Sequence, residues 1–438
     1  MSEIFDSLRA RVSQIPLTKR FGRIAELTGG TLRVSGLSQG LSLGDRVTIH
    51  GKSATIGGEV LRLSKDGTTI LPDGSSDGLA INDSVEMAGR AEISPDNSWI
   101  GRIIDPFGQP IDGHPLLPGP TAKALRAAPP PPAERRALGE RLETGTAVFN
   151  TLLPLVRGQR IGLFAGSGVG KSSLLGKFAR GVAADVVVIA LVGERGRELR
   201  EFTERVLGPQ GMARAVVVTA TSDQSPLVRR RCMWTAMAVA EHFRDQGLHV
   251  LLLADSITRF AEAHREVALA AGEQGSLRGF PPSTSHTIMS LAERAGPGAD
   301  GSGDITAVFT VLVAGSDMDE PVADILRGVL DGHVVMDRAI AERGRFPAIN
   351  LLRSVSRSLP DAATTAENAL ITEARQLLGA YERAEMMIQA GLYASGSDPL
   401  VDAAIKVWAA LDGFLAEDGT AGIGNSFKRL EACLALAK

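Results

Sequence analysis

Residues Ala165-Gly166-Ser167-Gly168-Val169-Gly170-Lys171-Ser172 pack glycines, a lysine and hydroxyls into one short stretch, a combination suited to holding a polyphosphate. Glycines let the backbone curl so that successive amide hydrogens and the start of a following helix face the anion. Lys171 then reaches the terminal phosphates and the Ser172 hydroxyl ligates Mg2+, while Gly166 to Gly170 and Ser173 line the rest of the chain of phosphates. An apolar run, Arg160–Phe164, precedes the loop, and a helical pattern, Lys171–Ala179, follows it, which is the context the motif requires. Its first position, usually glycine, is Ala165, and alanine serves there only if φ is negative.

Carboxylates come next. The run His249–Asp255 reads as an apolar strand ending in an acid, placed where open parallel sheets bind their ligands; Asp255 is expected to join Ser172 in the Mg2+ shell. Val192-Gly193-Glu194-Arg195-Gly196-Arg197-Glu198 ends another strand, so Glu194 is placed to orient an attacking water. Taken alone, it would be a loop ion pair with Arg195 or Arg197; beside the two motifs above, catalysis is the better reading. Further on, Phe346 is either packing for Pro347 or a ring face for adenine, and Arg357 is either a surface arginine or a guanidinium that neutralises charge on a neighbouring nucleotide. Spacing leaves both choices open.

These residues need a scaffold. Strand then helix alternate from Arg160 onward: Arg160–Phe164 and Lys171–Ala179, Val186–Val192 and Arg197–Leu207, Val216–Ala220 and Leu227–Arg244, Val250–Ala254 and Ile257–Ala270. Such units build an α/β parallel, doubly wound sheet. Before them, from Phe21 to Glu92, short alternating stretches separated by Gly-rich turns predict a β-barrel. After Ser356 the strand signal stops, and segments such as Ala366–Ala390 and Leu400–Leu415 predict a helical domain. Ile4, Leu8, Val12 and Ile15 form a helical stripe at the start, which either docks on a partner or a membrane surface, or packs on its own domain or frays. The expected boundaries are 1–20, 21–92, 93–355 and 356–438.

Composition narrows the classes. The 438 residues exceed one core, and 44% apolar with 22% charged residues is ordinary globular composition. Lys plus Arg total 47 against 50 Asp plus Glu, so no global basic field recommends a nucleic-acid binder. Residues 21–92 hold Phe21 as their single aromatic, too little for a barrel that grips RNA by stacking. Cys232 and Cys433 are too far apart in sequence for a clustered metal motif, the seven histidines include no His-x-x-x-His pair, and no G-x-S-x-G elbow occurs. The longest apolar run, Val186 to Val192, is far short of a membrane span, and Met1 to Arg20 lack a secretory leader pattern, so a cytosolic chain is expected.

The motifs Gly166–Ser172, Val192–Glu198, Leu251–Phe260 and Phe346–Arg357, in this order, resemble the catalytic subunits of rotary ATP synthases and their type III secretion relatives. Gly279–Thr284, Ala292–Gly296 and Glu320–His333 look most like type III export ATPases, and Val335–Pro347 is closest to their flagellar branch; an ATPase of a virulence injectisome is the alternative. The resemblance implies a P-loop (RecA-like) core between a β-barrel and a helical domain, with ATP and Mg2+ as cofactors. It assigns Lys171 and Ser172 to phosphate and Mg2+, Glu194 to the catalytic carboxylate, Arg195 to the neighbouring active-site arginine, Asp255 to the second acidic motif, Phe346 to the adenine platform and Arg357 to an arginine finger given in trans. It also implies a homohexamer with a central stalk protein, an inhibitory regulator on the N-terminal segment, and export chaperone–substrate complexes delivered to an export gate at the membrane, all at its cytoplasmic face. A non-catalytic subunit would lack the carboxylate that Glu194 supplies.

Overall fold

The structure is a computed structural model that describes residues 18–437 apart from 53, 314–317 and 319; the stripe of Ile4, Leu8, Val12 and Ile15 lies outside the described residues. Strands β1 (Phe21–Thr28), β2 (Thr31–Ser35), β3 (Arg46–His50), β4 (Thr55–Ser64), β5 (Gly67–Pro72) and β6 (Ser84–Gly89) close into a barrel in the order β1-β2-β5-β4-β3-β6. Their alternation dictates its inside: Ile24, Leu32, Val34, Val47, Ile49, Val60, Ile70 and Val85 all point inward and are buried. The barrel is fastened to the rest by Glu59 of β4, buried at 5% exposure, which accepts from Arg230 at 2.8 Å.

A ribbon of β7 (Glu92–Ile93) with β9 (Lys123–Ala124) leads into a nine-stranded sheet. That sheet contains β8 (Ile103–Ile104), β10 (Arg160–Ala165), β11 (Val186–Glu194), β12 (Ala215–Thr221), β13 (His249–Asp255), β14 (Gly296–Pro297), β15 (Asp304–Leu312), β16 (Gly332–Met336) and β17 (Ile349–Ser356). The order is β17-β16-β10-β15-β13-β11-β12-β8, with β14 paired to β15. Strands β10, β11, β12, β13, β15 and β16 run parallel, so β10, β11 and β13 end on one edge.

Valine and isoleucine fill β11 because both its faces are covered. Val187, Ile189 and Leu191 enter one core with the Lys171–Gly181 helix, whereas Val186, Val188 and Ala190 enter the other with the Pro226–Arg244 and Ile257–Ala270 helices. The first of these cores continues through Ile349 and Leu351 of β17 into Leu377, Val407, Leu411 and Phe414 of the C-terminal helices Thr365–Gln389 and Pro399–Phe414. A third helix, Ile423–Leu434, completes that bundle and had no separate sequence signal.

One expected helix is different. The Arg197–Leu207 stretch is a short α-helix, Gly196–Glu201, that widens into a π-turn over Phe202–Leu207. The Thr203 hydroxyl donates back to the carbonyls of Leu199 (3.1 Å) and Arg200 (3.2 Å), competing with the regular backbone ladder. Elsewhere in the core, Arg294 and Glu241, 3% and 5% exposed, form a two-pronged pair at 2.8 and 2.6 Å, and Arg294 also donates to the carbonyl of Leu125. Glu241→Ala strands this arginine, so chemical denaturation should show a loss of about 3–5 kcal/mol.

Candidate active site

β10 delivers the chain into the sheet's ligand edge at Ala165. That residue pairs in register with Leu312 on one side and Met336 on the other and is fully buried, and it is not among the positive-φ residues, so alanine sits there without backbone cost. The turn after it is made by Gly168 (φ 78°) and Gly170 (φ 87°), both in the left-handed region. Val169 between them sends its side chain into the core, 1% exposed, and so faces a ligand only with its backbone. Gly170 ends the loop at the start of the Lys171–Gly181 helix, whose first turn carries Ser172 and Ser173, both exposed.

Two carboxylates converge on this loop. Lys171 Nζ forms a close ion pair with Asp255 Oδ1 and lies 4.0 Å from Glu194 Oε1. Asp255 is buried at the end of β13, and its Oδ1 also accepts from the Thr310 hydroxyl at 2.7 Å. Glu194 leaves the line of β11 at an irregularity between Val192 and Glu194, where Gly193 adopts φ 69°, and the bulge turns its carboxylate toward Lys171. Burial, the hydrogen bond with Glu198 and the charge of Asp255 push the Glu194 carboxyl up to about 7, against the opposing pull of Lys171. A cavity of about 230 Å3 opens between Ser172, Ser173, Glu194, Asp255 and the π-turn residues Phe202 and Val206. Its polar end is a hydroxyl and carboxylates, an oxygen donor set that suits a hard cation.

Phe346 comes to the other side of the loop. Its ring lies so close to Gly170 that a Cβ there would sit 3.1 Å from it, which gives that glycine a steric reason as well as a conformational one. The ring is 49% exposed and borders two cavities, one of about 300 Å3 with Gly168, Ser173 and Lys177, the other of about 360 Å3 with Ser167, Arg338 and Glu342. Phosphate loop and aromatic face are thus contiguous.

Arg195 stands beside this cluster without joining it: its side chain is 78% exposed and its carboxylate neighbour is Glu198 at 3.9 Å. Arg357 is elsewhere. β17 runs antiparallel to β16, pairing Ile349 with Met336 at the ligand edge and Ser356 with Gly332 at the opposite edge. The residue after Ser356 therefore lies a strand's length, roughly 15–20 Å, from the loop of its own chain. There it is exposed and donates to the Arg327 carbonyl at 3.1 Å.

Two contributors escaped sequence reasoning. Thr310 is one of the polar residues interrupting the buried strand β15, and only the pairing of β15 with β13 brings it to Asp255. Glu198 was given no role of its own beyond closing the Val192–Glu198 motif, whereas its hydrogen bond with Glu194 helps to raise that carboxyl.

With this geometry in hand, comparison with known proteins is direct. The profile of the ATP synthase alpha/beta family, nucleotide-binding domain, matches residues 145–356, and that of the T3SS EscN ATPase C-terminal domain matches residues 363–430. The flagellum-specific ATP synthase of Caulobacter vibrioides is 45% identical, covering 94% of this chain and 95% of its own. The type 3 secretion system ATPase of Xanthomonas euvesicatoria is 40% identical over 94% of this chain and 93% of its own. Among solved structures, the assembled ATPase EscN from the type III secretion system of enteropathogenic E. coli superposes with a TM-score of 0.87 at 35% identity, covering 94% of this chain and all of that one. The same ATPase in complex with its central stalk EscO gives 0.85.

Proposed function

This chain belongs to the ATP synthase alpha/beta family, in the branch shared by flagellum-specific ATP synthases and type III secretion ATPases, and from that premise we propose that it hydrolyses ATP to drive flagellar type III protein export. One observation carries the chemistry: a lysine, two carboxylates and a glycine loop converge at the end of a parallel sheet. Phosphates seat on the loop's amides with Lys171 beside them, and the base lies against Phe346. Glu194 orients the attacking water and accepts its proton, a task suited to a carboxyl held near neutrality.

The residues present fit Mg2+. Among the described residues no group of three His, Cys, Asp or Glu could cage a metal, so a cation here would arrive with phosphate oxygens, as Mg2+ does, and Ser172 and Asp255 would hold it. When bound, it would offset negative charge on the phosphates. Asp255 keeps its orientation through Thr310 whether or not Lys171 moves to the phosphates.

Arg357, on the far edge of the sheet, serves the site only from a neighbouring copy, and this favours a closed ring, a homohexamer in our reading, threaded by a stalk partner. No described helix is long and apolar enough to cross a membrane; association with the cytoplasmic face of an export apparatus, its gate, its chaperone-bound substrates and an inhibitory regulator at the N-terminal segment belongs to the same proposal. Steady-state hydrolysis of Mg-ATP measured against protein concentration tests it. Specific activity should rise as rings form; a chain that binds ATP and never hydrolyses it, at any concentration, overturns the reading.

A further inference from the structure

Phe346 is half exposed over the phosphate loop, so its position depends on the backbone that carries it. That backbone is gripped from below by Arg345, a residue 8% exposed. Its two terminal nitrogens donate to the carbonyl of Pro347 at 3.2 Å and to that of Ile349 at 2.8 Å, one on each side of the turn into β17. Its Nε lies 3.0 Å from Asp412 Oδ1, on the helix Pro399–Phe414 of the C-terminal bundle. The planar fork of one arginine thus spans two domains, and lysine, with a single nitrogen, cannot make all three contacts.

Surroundings reinforce the link. Two residues earlier, Arg343 lies 3.5 Å from Glu385 and 5.9 Å from the Trp408 ring, which stacks on Tyr381 at 4.7 Å. A cavity of about 530 Å3, lined by Tyr381, Trp408, Arg345 and Asp412, opens beside this contact, so the arginine reaches the bundle along the cavity wall, next to the core that Ile349 and Leu351 share with the same helices.

Resting on the reading that Phe346 holds the nucleotide base, we propose that Arg345 is a positioning residue, tying the affinity for the base to the seating of the helical domain through Asp412 on one side and the Pro347 and Ile349 carbonyls on the other. A shift of the Pro399–Phe414 helix then loosens the platform without touching the phosphate loop.

The test separates base from phosphates. Binding of Mg-ATP and of Mg-tripolyphosphate is measured by calorimetry on the whole chain for wild type, Asp412→Asn, Arg345→Lys, Phe346→Ala and the Asp412→Asn/Phe346→Ala pair. Asp412→Asn and Arg345→Lys should each weaken ATP about tenfold, raise KM in step and leave kcat and tripolyphosphate binding within about twofold, the scale expected for losing a base–aromatic stack. Adding Asp412→Asn to Phe346→Ala should cost nothing more. If Phe346→Ala weakens ATP while Asp412→Asn and Arg345→Lys do not, the bridge is structural only and the proposal fails. Equal weakening of both ligands overturns it too, as general damage to the domain. If Phe346→Ala itself leaves the ratio of the two affinities unchanged, the platform reading falls and takes this inference with it, while hydrolysis and export remain as argued.

Discussion

Glu194→Gln is expected to retain ATP and to lose hydrolysis by about a thousandfold, within the range that a positioned general base contributes. Glutamine keeps the shape and can still meet Glu198, but it cannot take a proton from water. The same carboxyl predicts how the wild type responds to pH. Burial, Glu198 and Asp255 raise it to about 7, and it must be deprotonated to act, so kcat/KM should climb through pH 7 from the acid side. Stability runs the other way. A carboxyl raised above its ordinary value of 4.5 binds more protons in the folded chain than in the unfolded one, so folding weakens as pH rises from 4.5 through about 7. Glutamine carries no such penalty. Denaturation midpoints should therefore place Glu194→Gln about 1–3 kcal/mol above wild type at pH 8, with the gap closing as pH falls toward the ordinary carboxyl range. An active variant would mean that another group orients the water; one less stable at pH 8 would mean that the Glu194 carboxyl is not held up in the folded chain.

Much of this site was legible because the chemistry sits in short contiguous motifs. Glycines at 168 and 170 are demanded by positive φ, and Lys171 and Ser172 follow from the helix that must start there. Ala165 was the one departure, and pairing settles it: a residue laddered on both sides is ordinary strand. What spacing could not supply was anything set by register across the sheet. Thr310 reaches Asp255 because β15 lies beside β13, a neighbour relation that skips sequence order. The strands Asp304–Leu312, Gly332–Met336 and Ile349–Ser356 were not assigned from pattern at all, so the edge on which Arg357 falls could not be inferred. The π-turn was hidden for a local reason, a threonine whose hydroxyl reaches back to the helix carbonyls, yet it places Phe202 and Val206 in the cavity wall beside Glu194. Arg345 lies within the Val335–Pro347 stretch but was assigned no role there; the role proposed for it rests on Asp412, from far along the chain, coming alongside.

Arg357→Ala should be nearly as inactive as Glu194→Gln, about a thousandfold down, yet the two inactive chains mixed in equal amounts should hydrolyse ATP. The reason is topological. β17 is the antiparallel edge strand, so it carries Arg357 away from the edge where β10, β11 and β13 end, and no side-chain rotation brings that guanidinium back to its own loop. In a head-to-tail ring each site draws its carboxylate from one copy and its arginine from the next. Random assembly of the two variants pairs an intact Glu194 with an intact Arg357 at one interface in four, so a mixture should recover roughly a quarter of the wild-type rate if the interfaces act independently. Coupling between sites lowers that figure without abolishing it. Arg357→Lys restores charge but not the planar fork and should stay well below wild type. Exchange must be allowed by mixing dilute chains before concentrating them, since preformed rings of each variant would remain dead. If the mixture gains nothing although light scattering shows that both variants assemble, the arginine is not shared between copies, and the charge that builds on the phosphates must be met within one chain. Arg195, exposed next to Glu194 on the near edge, is then the first residue to substitute.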